Sequence, residues 1–148
     1  MFFKKGLFSG KNKKASTKPE AAQSNEMITC ARRGNFAGLT KLIRAGENTE
    51  QRDETGATPL IWASAMNNMQ IVQFLLDSDA DINARDNNGV TALQISALLG
   101  YREIVEFLIA RGADHQVRNR DGATALFLAR AKGHLAVEDM LSRVGARE

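Results

Sequence analysis

Few residues of this 148-residue chain have the type and spacing that chemistry at a site would require. His134 and Glu138 are four residues apart, which places both on one face of a helix as two ligands for a metal ion. A zinc site needs at least three protein ligands, and no third ligand lies nearby in the sequence. His134 also follows Gly133 at a predicted helix start, where a structural role explains it. We therefore predict no metal site.

The other chemical signals are weaker still. Gly6 and the run from Gly10 to Asn12 resemble a phosphate-binding loop, but the spacing is one residue short and the Ser or Thr after Lys11 is missing. The single cysteine, Cys30, rules out an internal disulfide and suits a reducing compartment. We expect Cys30 to be a buried packing residue. The sequence predicts a protein that is not an enzyme and has no cofactor.

The elements that hold these residues follow a fixed period. Gly56, Gly89 and Gly122 lie 33 residues apart, and each stands in the same short motif, of which Asp53–Leu60 is the first copy. Aligned apolar columns keep the same register. A period of this length indicates stacked supersecondary units in place of one globular core.

Each unit is predicted to consist of a turn and two helices. Three threonines should cap the first helices: Thr58, Thr91 and Thr124. A glycine ends each helix in the left-handed conformation, except that Asn67 and Asp79 replace it in the second unit. Both residue types tolerate positive φ next best, so we expect the same conformation there at a modest cost of up to ~1 kcal/mol each.

These motifs resemble those of the ankyrin repeat family. Gly56–Leu60 is similar to the family's G-x-T-P-L, and Gly100–Asp114 is similar to its second-helix signature. The resemblance implies an all-α repeat solenoid, an ankyrin stack of helix-turn-helix units joined by β-hairpin-like turns. It also implies a histidine after the T-P-L leucine that links neighbouring repeats. Because Ile61, Gln94 and Phe127 stand there instead, we expect weaker links between repeats.

The alignment divides the chain into a tail and a repeat domain. Residues 1–23 are predicted to be a basic, disordered tail, and residues 24–148 the ankyrin domain. Its repeats cover 24–52 as an N-terminal cap repeat, then 53–85 and 86–118, and finally 119–148 as a C-terminal cap repeat. Ser24 is expected to be the N-cap residue of the first helix. In the last repeat Arg130, Glu138 and Ser142 replace small or apolar residues where a next repeat would dock. We expect a complete array that is a monomer.

The family resemblance implies that a protein partner binds the concave face formed by the first helices and the turn tips. Late positions of those helices give an apolar centre, Met66, Leu98 and Leu99, with cations at the two ends, Arg33 and Lys132. This pattern suits a partner with an apolar anchor and acidic flanks. The alternative is that the apolar side chains complete the packing between repeats. Trp62, in a column with Ile95 and Leu128, is expected in the core.

A second set of candidate partner-binding residues lies near the turn tips. Arg52, Arg85 and Arg118 share a column and should form a row that grips a carboxylate-rich or phosphorylated segment. The alternative is local neutralisation by nearby aspartates such as Asp53 and Asp86. The tips add three candidates by geometry alone: Asn88, Val90 and Arg120.

The tail carries its own hypothesis. Residues 1–24 hold six lysines and one acidic residue, whereas the remainder carries a net charge of −2. Apolar and basic side chains stand together at its start: Phe2, Phe3, Lys4, Lys5, Leu7 and Phe8. Residues 1–18 would suit an anionic membrane surface. A solvated tail and a targeting peptide are the alternatives. The acid-leaning repeats offer no groove for specific nucleic acid. We expect a cytoplasmic location, with membrane association as the alternative.

Overall fold

The computed structural model describes the backbone of residues 20–145 and the side chains of residues 26–145. Within these bounds the chain forms helices and turns and no strand. The helices are α1 Glu20–Arg33, α2 Phe36–Arg44, α3 Pro59–Ala65, α4 Met69–Asp77, α5 Ala92–Leu99, α6 Arg102–Ala110, α7 Ala125–Ala131 and α8 Leu135–Arg143. Consecutive pairs pack as four helix-turn-helix units. The predicted all-α repeat solenoid is confirmed.

Threonine caps start the first helices of the last three units, as predicted. Thr58, Thr91 and Thr124 have extended backbones, and their hydroxyl oxygens accept hydrogen bonds at 3.2–3.3 Å from the N–H three residues on. Pro59 occupies the first turn of α3, where its missing N–H leaves no bond unmade. Each threonine is at most 1% exposed, so the cap also gives a buried hydroxyl a hydrogen-bond partner.

Positive-φ positions separate the two helices of a unit. Gly100 has φ 75°, and Asn67, which stands in the same column one repeat earlier, has φ 58°. Asp79 likewise has φ 67° where the next repeat has a glycine. The left-handed conformation predicted for both substituted positions is confirmed. The fold therefore imposes this conformation even where the residue type disfavours it.

The core runs through the stack between the two layers of helices. Leu60, Leu93 and Leu126 fill one column, and Ile71 and Ile104 fill another, all at most 4% exposed. The first helices of neighbouring units, α1, α3, α5 and α7, contact one another far more extensively than the second helices do. The stack consequently curves, with the first helices and the turn tips on its concave side.

The N-terminal unit differs from the prediction at its start. Helix α1 begins at Glu20, and Ser24 lies inside it, so the expected cap at Ser24 is wrong. The helix thus begins four residues before the predicted boundary at residue 24. The start was predicted too late because Ala21, Ala22 and Gln23 favour a helix but contribute no large apolar residues at helical spacing. The predicted burial of Cys30 is confirmed, at 8% exposure.

Gln94 changes the expectation of weak links between repeats. Its side-chain Nε2 donates to the carbonyl oxygen of Val117 at 2.8 Å, at the end of its own unit, and to that of Ala123 at 3.1 Å, in the next unit. Its Oε1 accepts from the backbone N–H of Thr91, which completes a capping box. Gln94 therefore supplies a link between repeats at the position where the family has histidine. The prediction that the link between repeats is weaker in this column is therefore wrong at Gln94.

Candidate protein-binding face

Trp62 contributes a half-buried indole to the concave side of the stack. Its Nε1 donates to Oδ2 of Asp53 at 2.8 Å, and the guanidinium of Arg32 lies 4.7 Å from the ring centroid. Trp62 is partly buried and packs against the core cluster without being a member of it. The expectation that it is a core residue is therefore corrected. Its neighbours Leu60, Ile61 and Ala63 in α3 are buried, and a helix of seven residues is too short for its pattern to show that Trp62 is less covered.

An open cleft of about 250 Å³ lies beside this indole, lined by Thr29, Arg32, Arg33, Trp62 and Met66. Met66 is 48% exposed, which makes it one of the most exposed large apolar side chains of the described residues. Arg32 and Arg33 form the last turn of α1. Apolar and cationic groups thus share one cleft at the junction of the first two units.

Asp53 holds the indole in place through a fixed carboxylate. Burial raises the pKa of Asp53, but hydrogen bonds from the side chains of Thr55 and Trp62 and from the N–H groups of Ala57 and Thr55 outweigh it. The pKa consequently lies below its usual value, and the group is charged at neutral pH. Because its oxygens are occupied by the turn and the indole, Asp53 acts as a structural anion.

The face continues toward the C-terminal end through Leu99, which is 40% exposed. Leu98 is half-buried, and its carbonyl accepts a hydrogen bond from Nε2 of His134 at 2.9 Å. Lys132 is exposed at the far end of the same column. Of the predicted apolar centre, Met66 and Leu99 are therefore open to solvent, whereas Leu98 is partly covered.

The side chains of His134 and Glu138 contact different partners in the structure. The ring of His134 bonds to a carbonyl of the preceding unit, and Oε1 of Glu138 pairs with Nε of Arg130 at 3.0 Å. No group of three or more His, Cys, Asp or Glu side chains suited to a metal occurs among the described residues. The ion pair of Arg130 and Glu138 covers part of the end face of the stack.

The arginines of one column donate hydrogen bonds to backbone carbonyls of their own and neighbouring turns. We call this series of bonds the arginine ladder. Arg52 donates to the carbonyls of Gly56 at 2.8 Å and of Arg85 at 2.6 Å. Arg85 donates to the carbonyl of Arg118 at 2.7 Å, and Arg118 to that of Gly122 at 2.7 Å. Asp53 and Asp86 accept hydrogen bonds from turn N–H groups. Partner binding by this arginine column and its neutralisation by nearby aspartates both stay predictions. The ladder joins consecutive turns.

The turn tips are joined to one another as well. The N–H of Asn87 donates to the carbonyl of Thr55, and the N–H of Arg120 to that of Asn88, both at 2.9 Å. Asn88 and Arg120 are exposed, and Val90 is half-buried. The tips therefore form a continuous, hydrogen-bonded edge of the concave side, and the three predicted tip contacts remain predictions.

The predicted membrane contacts, Phe2, Phe3, Lys4, Lys5, Leu7 and Phe8, lie outside the described residues. Among the residues that are described, helices are all too short or too polar to span a bilayer.

The burial of Cys30 beside this face has a chemical consequence. Burial raises the pKa of its thiol, and the negative charge of Glu26 raises it further. A raised pKa lowers the thiolate fraction at neutral pH, and the thiolate is the reactive species. This agrees with a packing role for Cys30.

Comparison with known proteins agrees with this architecture. Residues 27–119 match a family model described as ankyrin repeats in three copies. The match covers more than half of the chain, and the chain belongs to the ankyrin repeat family. Proteins of this family are generally protein–protein interaction modules.

Individual relatives match less than half of this chain. The chain is 40% identical over 60 residues to a palmitoyltransferase akr1 of Neurospora crassa, which is 40% of this chain and 8% of that protein. It is 39% identical over 67 residues to the human DNA-binding protein RFXANK, covering 45% and 26%. It is 36% identical over 66 residues to human ankyrin repeat family A protein 2, covering 45% and 21%. The matched stretch thus spans about a quarter or less of each of these relatives.

Proposed function

We propose that this protein is a non-enzymatic adaptor that binds a protein partner through the concave face of its ankyrin stack. The observation that carries the proposal is the exposure of Met66 and Leu99, at 48% and 40%, on the side where the first helices meet solvent. Exposed large apolar groups on an otherwise well-packed protein are a recurrent feature of interaction sites. We propose a cytoplasmic location, consistent with a single cysteine that forms no internal disulfide.

Rigidity of the face supports this role. The arginine ladder and the hydrogen-bonded tips fix each turn to its neighbour, and the bond from Gln94 to Ala123 fixes the third unit to the fourth. A surface that is ordered before binding loses little conformational entropy on binding. Most of the conformational ordering on binding then occurs in the partner.

The test is capture of partners from a lysate of the source cells by the immobilised full chain, followed by mass spectrometry. A double variant, Met66→Ser with Leu99→Ser, should lose the partners that the unmodified chain captures. Both side chains are about half exposed, so folding should be little affected.

Leu135→Ser with Val144→Ser is the matched control. These side chains are 73% and 39% exposed but lie on or after the outer helix α8 of the last unit. The control should retain the partners. Equal capture by both variants, with unchanged circular dichroism, would exclude the concave face as the binding surface.

A second candidate function rests on the distribution of charge. Six of the 20 basic residues fall in residues 1–24, which hold one acidic residue, and the rest of the chain is net negative. We propose, as the alternative, that this basic and aromatic tail tethers the protein to an anionic membrane surface by reversible, salt-sensitive contacts. Co-sedimentation with phosphatidylserine vesicles should be lost in a protein of residues 20–148, which retains every described helix. Equal sedimentation of both proteins would exclude the tether.

A further inference from the structure

The cleft beside Trp62 has a composition that specifies its occupant. Its lining combines two large apolar side chains, Trp62 and Met66, with the guanidinium side chains of Arg32 and Arg33 and the hydroxyl of Thr29. We propose that this cleft binds an acidic segment of a partner protein, with an apolar side chain against Trp62 and Met66 and a carboxylate on Arg33. The inference rests on the proposed concave-face function and narrows it to one cleft and one class of partner.

The volume of the cleft suits one side chain. About 250 Å³ is open to solvent beside the indole. That space is too small for a helix, whose diameter with side chains is about 10–12 Å, and ample for one leucine or phenylalanine. The partner should therefore insert a single anchoring side chain into the cleft.

The two arginines differ in what they can offer. Arg32 stacks on the indole at 4.7 Å, which orients its guanidinium along the wall of the cleft. Arg33 is exposed at the last position of α1, at the cleft rim. A guanidinium presents a planar fork of donors that matches a carboxylate. Arg33 therefore recognises the charge, and Arg32 shapes the apolar pocket.

Acidic side chains line a second cleft that shares Arg32, and they determine on which side of the anchor a partner's acidic residues can lie. A neighbouring cleft of about 230 Å³ is lined by Asp53 and Glu54 together with Ile28, Thr29 and Arg32. Asp53 is engaged by the turn and the indole, whereas Glu54 is exposed. An acidic segment is repelled from the Glu54 side and attracted to the Arg33 side. Its acidic residues should thus fall on one side of the apolar anchor.

The sole tryptophan of the chain, Trp62, reports on this cleft directly. The experiment is selection of a random 12-residue display library against the immobilised full chain, followed by titration of the enriched synthetic peptides with Trp62 fluorescence as the readout. We expect enriched peptides to share one large apolar residue with Asp or Glu on one side of it. Binding should change the emission of Trp62.

Charge reversal then separates recognition from general attraction. Arg33→Glu should weaken binding of the enriched peptides at least about tenfold, whereas Arg44→Glu should leave it within about twofold. The two residues are matched, because each is the exposed last residue of a helix, α1 and α2. Glu54→Gln should leave binding equal or tighter.

Three results would overturn the inference: no enriched peptide, enriched peptides without acidic residues, or equal losses from Arg33→Glu and Arg44→Glu. Any of these would leave the proposed function intact if partner capture still depended on Met66 and Leu99. If partner capture did not depend on Met66 and Leu99 while acidic peptides still bound at Trp62, the proposed function would be overturned and the inference about the cleft would stand.

Discussion

The interior repeats and the last repeat use the same motif in different surroundings. Gln94 and Phe127 share a column, yet Gln94 is 1% exposed and bonded to the next unit, whereas Phe127 is 46% exposed. Gly56 and Gly122 share another column and the same φ of 79°. A Cβ at Gly56 would meet the side chain and backbone of Asn87, while a Cβ at Gly122 would have nothing within 4 Å.

The difference shows what a following repeat contributes. The backbone conformation of each turn is set within its own unit. The space left around its residues is set by the next unit, which packs against them. The residues that matter most for stability should therefore be those with a next unit beside them. Substitutions at matched columns can test this directly.

The largest expected effect is at Gln94. Gln94→Leu keeps the volume but leaves the buried Thr91 N–H and the Val117 carbonyl without their partner, which should cost about 2–4 kcal/mol in the free energy of unfolding. Phe127→Leu, in the same column, should cost less than about 1 kcal/mol because the site is half exposed. Urea unfolding followed by circular dichroism measures both. Equal losses would contradict the role assigned to the neighbouring repeat.

The next effect is at the turn glycines. Gly122→Ala should cost about 1 kcal/mol, the penalty of a left-handed alanine, because its Cβ meets open space. Gly56→Ala adds a contact of 2.8 Å to the backbone nitrogen of Asn87, which cannot move without shifting the next turn. We expect about 2–3 kcal/mol there. The same urea unfolding decides it, and a smaller loss at Gly56 than at Gly122 would refute the argument.

A smaller effect of opposite sign is expected at the inter-helix turn. Asn67 is exposed and left-handed at φ 58°, so Asn67→Gly should raise the free energy of unfolding by up to about 1 kcal/mol. Gly133→Asn, in the same column of the last repeat with open space around it, should lower it by a similar amount. Thermal unfolding of the two variants checks the pair, and shifts of the same sign would contradict it.

The smallest effect is the pH dependence of the Asp53 turn. The pKa of Asp53 in the folded protein lies below its ordinary value of 3.8. The stability it contributes is therefore present above the unfolded-state pKa and is lost as the pH falls through the folded pKa. Asn119 accepts the equivalent turn N–H bonds in the last repeat without a charge.

The measurement compares the unmodified chain with Asp53→Asn in urea unfolding at pH 7 and at pH 3. The stability difference between the two proteins should shrink at the lower pH. A difference that stayed constant would show that the charge on Asp53 contributes nothing beyond the hydrogen bonds.

Features that depend on one unit were predictable from sequence. The threonine caps and the left-handed Asn67 and Asp79 follow from residue types at fixed offsets in a turn. Each of these predictions needs only the conformation of neighbouring residues along the chain.

Contacts between units were not predictable in the same way. Gln94 was read as a missing histidine because its acceptors, at Val117 and Ala123, lie 23 and 29 residues away. The arginine column was predicted as a row, but its carbonyl partners were not, since backbone carbonyls leave no mark in a sequence. Trp62 was assigned to the core because its column, with Ile95 and Leu128, is apolar throughout.

The sequence by itself determined the period, the order of turn and helices, and the membership of each column, because these depend on local conformation repeated every 33 residues. The tertiary structure alone decided which members of a column are covered. Coverage depends on the curvature of the stack and on whether a further unit packs alongside. For that reason the cleft at Trp62 and the link at Gln94 emerged only once the units were stacked.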